Sequence, residues 1–129
     1  MQRYSLADGH VDWAREDGYL RVVEAGNPQT PEEMAQYFAA MERARIAMRL
    51  DAVLITAQAS GPSPTSPHWK AIREARWKAL AETGARRIAV LVDEELAVTR
   101  VQMTALSVRA PVRAFTSEAD AVRWLRGAT

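Results

Sequence analysis

Residues 51–69 constrain the fold of this chain more than any other stretch. Asp51 leads into an unbroken apolar run, Ala52-Val53-Leu54-Ile55, which continues through Thr56 and Ala57. A short β-branched run bounded by turn residues reads as a strand buried on both faces. Residues 60–67 follow and are built almost wholly from Ser, Gly, Pro and Thr; Pro67-His68-Trp69 then opens a helix. A strand that hands the chain to a loop beside a helix N-terminus defines the carboxyl edge of an open α/β sheet, where ligands bind and modifications act.

The rest of the chain fits one such sheet. Its 129 residues, 48% of them apolar, suit a single domain over residues 1–129 with a real core. The 17 basic and 16 acidic residues nearly cancel, which gives no general attraction to nucleic acid or an anionic membrane. Cysteine is absent, and His10 and His68 are the two histidines, so neither thiol chemistry nor a Cys/His metal site is expected. No apolar run approaches the ~20 residues of a membrane span. Residues 1–5 carry no long apolar core of a signal peptide. The expectation is a cytoplasmic protein without cofactor or metal.

The chain begins with strands. Asp8-Gly9 and Asp17-Gly18 are hairpin turn signals, because glycine tolerates the positive φ of a tight turn. Between them Val11, Trp13 and Arg15 alternate with Asp12, Ala14 and Glu16, and Leu20, Val22 and Val23 follow the second turn. This predicts an antiparallel hairpin, with a short further strand at residues 3–6. Thr30-Pro31-Glu32-Glu33 matches a capping box, with Glu33 reaching back to the cap. The helix it opens, residues 31–48, carries Met34, Tyr37, Phe38, Met41, Ala44 and Met48 on one face, as core; Arg45 falls off that face.

The second helix is predicted to run from Pro67 to a stop at Gly84, with Ile72, Ala75, Ala79 and Leu80 inward and Trp69, Arg73 and Trp77 on a neighbouring stripe. Residues 88–92 form a second apolar strand, adjacent and parallel to the first. Asp93 is expected to cap a third helix, with Glu94 and Glu95 in its first turn and Leu96, Val98, Val101, Ala105 and Val108 inward. Residues 111–115 give a last strand, and Ser117 caps a last helix using Ala121, Val122, Trp124 and Leu125. The fold class is therefore α/β. An N-terminal antiparallel hairpin leads into a mixed, mostly parallel sheet of about five strands flanked by four helices.

This order resembles the STAS-like fold of bacterial anti-sigma-factor antagonists and of the cytoplasmic domains of sulfate transporters. Gly26 with Thr30-Pro31-Glu32-Glu33 looks like that family's turn into its first helix, and Asp51-Ala52-Val53-Leu54-Ile55 like its central strand. Residues 112–125, with Phe115, the capped turn at Ser117 and Trp124-Leu125, resemble the ending of a branch of uncharacterised bacterial proteins of this fold. In the antagonists a serine after the central strand is phosphorylated and switches partner binding. The usual motif is Asp-Ser or Ser-Ser before Gly. Here Ser60-Gly61 takes the comparable place, with Ala59 before it.

The resemblance implies a non-enzymatic regulatory or protein-interaction module. Its phosphorylation or anion-binding candidates are Ser60, Gly61, Ser63, Ser66 and His68, at a helix N-terminus with Lys70 and Arg73 one turn on. Trp69, Arg73 and Trp77, with Met103 and Leu106 off the inward stripe of the third helix, are partner-facing candidates; a homodimer through that helix is expected. Three other readings stand beside this one. The fold also resembles the ligand domain of lipid-transfer proteins, so a small lipophilic ligand would need an internal apolar cavity. A hydrolase would need Ser60 or Ser66 with His68 and Asp93, without a nucleophile elbow. A stretch of Lys70, Arg73, Arg76 and Lys78 among tryptophans suits stacking on nucleobases, which the near-zero net charge disfavours.

Overall fold

The computed structural model describes residues 2–26, 30–57, 67–109 and 111–127, with the side chains of residues 31, 57, 67–73, 76 and 108 outside the description. The elements run β1 (Gln2–Leu6), β2 (Gly9–Arg15), β3 (Leu20–Glu24), α1 (Pro31–Ala47), β4 (Ala52–Ala57), α2 (Pro67–Glu82), β5 (Arg87–Leu91), α3 (Glu95–Val108), β6 (Val112–Phe115) and α4 (Glu118–Leu125). All six strands form one sheet in sequence order, antiparallel through β1, β2 and β3 and parallel from β3 to β6. The expected central pair, β4 and β5, is adjacent and parallel, with Val53 opposite Ile88 and Ile55 opposite Val90.

Strand alternation divides the core in two. Val53 and Ile55 face a large cluster with Tyr37 and Met41 of α1, Trp77 and Leu80 of α2, and Val101 and Ala105 of α3. Ala52 and Leu54 face a smaller cluster with Tyr19, Ala89, Ala121 and Leu125, covered among the described residues by α4. A central parallel strand thus needs apolar residues at every position, which is the pattern that made β4 legible.

α1 begins at its expected cap: Thr30 Oγ1 accepts the Glu33 N–H at 3.1 Å. The Glu33 carboxylate also accepts the Ala7 N–H at 2.8 Å, which ties the β1–β2 turn to the helix start. An aromatic layer joins sheet to helix: Trp13 lies 6.1 Å from Tyr4 and 6.4 Å from Tyr37, and Tyr37 lies 4.9 Å from Phe38. Two expectations need correction. Arg45 is not on the solvated side of α1 but 2% exposed, and Ala75 and Ala79 of α2 are exposed while Trp77 is buried. Rotating α2 to bury a tryptophan instead of two alanines removes far more apolar surface from water.

The Arg3 guanidinium grips Asp12 with two hydrogen bonds, at 2.8 and 3.0 Å. The hydrogen bond from Arg3 is the main reason the Asp12 carboxyl is held below its usual 3.8. A carboxyl whose folded pKa lies below its unfolded value adds stability that is present above the unfolded value and lost as pH falls through the folded one. Asp12→Asn is therefore expected to melt below the native chain at pH 7, with the two melting points converging as the pH falls below the ordinary carboxylate range and through the folded value. A gap that persists at the acid end would mean the pair contributes nothing through charge.

Candidate functional site

The carboxyl edge of the sheet is only partly described. β4 ends at Ala57, with Glu24 opposite it on β3. Tyr37 Oη donates to Glu24 Oε2 at 2.9 Å, so the edge is braced from α1. Among the described residues Thr56 Oγ1, buried here, has no hydrogen-bond partner. Ser60, Gly61, Ser63 and Ser66 lie outside the described residues. α2 starts at Pro67, as expected, so His68, Trp69 and Arg73 stand on its first two turns, their side chains outside the description. Trp77 is described and is not a partner-facing residue: it is 3% exposed and packs in the large cluster.

α3 presents the clearest surface feature. Val101 and Ala105 face the core, with Thr104 also buried. On the opposite side Leu96, Met103 and Leu106 are 58%, 67% and 79% exposed. Positions 96 and 103 are two turns apart and 106 one turn further, so the three form a stripe about 15 Å long at 1.5 Å per residue. Met103 and Leu106 thus stand where the sequence placed them, off the inward stripe. Leu96 does not: it was assigned to the core, and its spacing of seven from Met103 was the signal for the outer face. Asp93 is also corrected, since the N-cap is Glu94, extended at φ −150° and without a side-chain cap bond. Three successive acidic residues suit the positive end of the helix in either frame, so the sequence did not separate the two starts.

A second feature, not anticipated, lies on the α4 face. An open cleft of about 590 Å³ is lined by Tyr19, Arg21, Glu118, Ala119, Val122, Arg123 and Arg126. Arg21 sits at its centre. It bonds Glu118 through Nη1, Glu16 Oε1 at 3.2 Å and the Tyr19 hydroxyl at 3.1 Å. Its pKa is raised, chiefly by the hydrogen bond to Glu118. Arg126 Nη2 lies 3.7 Å from Asp17 and Arg123 Nη2 lies 3.4 Å from Asp120. Every arginine of the cleft is therefore paired, and the arrangement fastens α4 to β3 and the turn before it. Among the described residues no cluster of His, Asp and Glu has the spacing of a metal site, and no helix is long and apolar enough to cross a membrane.

The described residues thus give six strands in sequence order, with three helices on one face and the last on the other. No curated protein matches the chain. Among solved structures it is similar to an uncharacterised DUF3478-family protein with a SpoIIAA-like fold from Shewanella loihica PV-4, at TM-score 0.59 and 18% identity, over 95% of this chain and 98% of that one. At that identity the likeness concerns fold alone. A SpoIIAA-like family model matches residues 21–126, from the second residue of β3 through α4, and by that match the chain belongs to the SpoIIAA-like family.

Proposed function

We propose that this protein is a non-enzymatic interaction module that docks a partner protein against the outer face of α3. The observation that carries the reading is the exposed stripe of Leu96, Met103 and Leu106 on a helix whose other side is already committed to the core. Single exposed apolar residues are ordinary, but three aligned on one helix face match the way an amphipathic helix enters a partner's groove. Three side chains bury only a few hundred Å², well short of the roughly 800 Å² per partner of a stable complex. The docking is accordingly reversible, as a regulatory contact needs. Ser60, at the place of the antagonists' phosphorylated serine, is its switch: a phosphate of about −1.5 to −2 charges would reshape a nearly neutral surface.

The test is site-specific photo-crosslinking in cells. A crosslinker at Met103 or Leu106 is expected to give one discrete protein adduct that a crosslinker at exposed Arg86, in the turn between α2 and β5, does not, and Ser60→Asp is expected to change its yield. Equal labelling from all three positions would remove the docking reading, and an unchanged yield in Ser60→Asp would remove the switch. Because Met103 is exposed, Met103→Glu should leave folding stability within about 0.5 kcal/mol of the native chain while abolishing the adduct. A chemical melt provides the first measurement and the crosslink the second.

A further inference from the structure

The two edges of the sheet are treated differently. On β6 the backbone of Pro111 and Phe115 bonds to β5, through Ile88 N–H and Val92 N–H, so Ala114 turns its N–H outward. That N–H is filled by Gln102 Oε1 of α3 at 2.9 Å. At the other edge the parity follows from two bonds: Ala25 N–H donates to His10 and Glu16 N–H to Tyr19, each at 2.9 Å. Even-numbered residues of β2 therefore bond to β3, and Val11 and Trp13 bond to β1. Opposite residues of an antiparallel pair share their bonding. Tyr4 stands opposite Val11 and Gln2 opposite Trp13, so these are the β1 residues that bond inward. The N–H and C=O of Arg3 and Ser5 point off the sheet. The next N–H of the same parity, Ala7, is taken by Glu33.

Exposed edges are normally guarded by proline, a bulge, charged side chains or a covering segment. β1 reads Gln-Arg-Tyr-Ser-Leu and pairs with β2 without a bulge. Its one charge, Arg3, is held by Asp12. We propose that β1 is a self-association edge, pairing antiparallel with β1 of a second copy about a two-fold axis at Tyr4, so that the two six-stranded sheets become one. On that axis Arg3 of each copy faces Ser5 of the other, and the four outward groups of each strand close four backbone hydrogen bonds. The half-buried Tyr4 ring, stacked 6.1 Å from Trp13, meets the second copy's Tyr4 and extends the aromatic layer across the axis. A second copy is the fitting occupant because β1 itself supplies both needs of its neighbour: an aromatic beside Tyr4 and a small polar residue opposite Arg3. The α3 stripe lies at the β6 side of the sheet, so this pairing leaves it free.

Sedimentation equilibrium on the full chain tests the proposal. The native chain is expected to form a concentration-dependent dimer. Ser5→Pro removes an N–H that β2 does not use, a substitution edge strands tolerate, and it should keep the native circular dichroism while weakening association on the order of tenfold or more. Ser5→Arg places a cation opposite the second copy's Arg3 and should weaken the dimer, whereas Ser5→Glu should tighten it. Met103→Glu, aimed at the α3 docking face, should leave association unchanged. A native chain that stays monomeric to about 1 mM overturns the proposal, as does a folded Ser5→Pro that dimerises like the native chain or a dimer lost in Met103→Glu. Should Ser5→Pro fail to fold, equal association of Ser5→Arg and Ser5→Glu overturns it instead.

Discussion

Arg45→Ala is expected to lower the stability of the domain by about 3 kcal/mol, or roughly 10 °C in melting temperature. Arg45 is 2% exposed and occupied on every side. Nε and Nη2 hold Glu42 at 2.7 and 2.9 Å, Nη1 donates to the Leu50 carbonyl at 2.7 Å, and Nη2 also reaches the Thr83 carbonyl at 2.9 Å. One side chain thus gathers the end of α1, the turn into β4 and the end of α2. Its removal strands two carbonyls and leaves the Glu42 carboxylate, whose side chain is only 13% exposed, with the Thr83 hydroxyl but without its Arg45 cation. Most of the loss comes from those orphaned groups rather than from the ion pair itself. Two further outcomes follow from that division. Glu42→Gln in the Arg45→Ala background should recover about 1 kcal/mol, because no unpaired charge remains. Arg45→Lys should fail to restore stability, since one ammonium cannot serve a bidentate carboxylate and two carbonyls together. Denaturant melts of the three variants give the comparison. An Arg45→Ala chain within 1 kcal/mol of native would show the clamp to be incidental.

Gly9→Ala should cost a similar amount, about 3 kcal/mol, for a different reason. Gly9 has φ +104°, and a Cβ there would stand 2.6 Å from the Ala25 carbonyl oxygen and 2.6 Å from the Gly26 Cα. Two glycines from separate strand ends approach backbone to backbone, so no flexible side chain can yield to the intruding methyl. Gly18 is the internal control. Its φ of +90° is equally unfavourable to alanine, but nothing lies within 4 Å of its Cβ position. Gly18→Ala should therefore show only the conformational cost, about 1 kcal/mol. Equal losses at Gly9 and Gly18 in thermal melts would mean that the close approach carries no penalty of its own.

These two sites mark where reading along the chain stops. The order of elements, the capped starts of α1 and α4, and the central pair β4–β5 were all legible. Each depends on residues close in sequence: a turn dipeptide, a cap three residues from its amide, an apolar run between polar bounds. Family membership rests on the same local pattern. The sequence also set Met103 and Leu106 outside the core, because a helix has only one inward stripe.

Tertiary structure alone decided the rest. Asp8-Gly9 announced a turn, but that Gly9 must meet Gly26 depends on β3 returning beside β2. Arg45 looked like a surface arginine because its partners Leu50 and Thr83 lie on other segments, and only the packing of α1 against α2 brings their carbonyls within reach. Trp77 and Leu96 exchanged the roles expected of them because helix phase is settled by which face buries more area against the sheet, a sum over neighbours that periodicity cannot weigh. The cleft at Arg21 unites residues from β3 and α4, 97 positions apart. Which backbone groups of β1 point off the sheet follows from hydrogen-bond parity, which exists only once strands are paired. Local chemistry determined which elements form; long-range contact determined which side chains became clamp, core or surface.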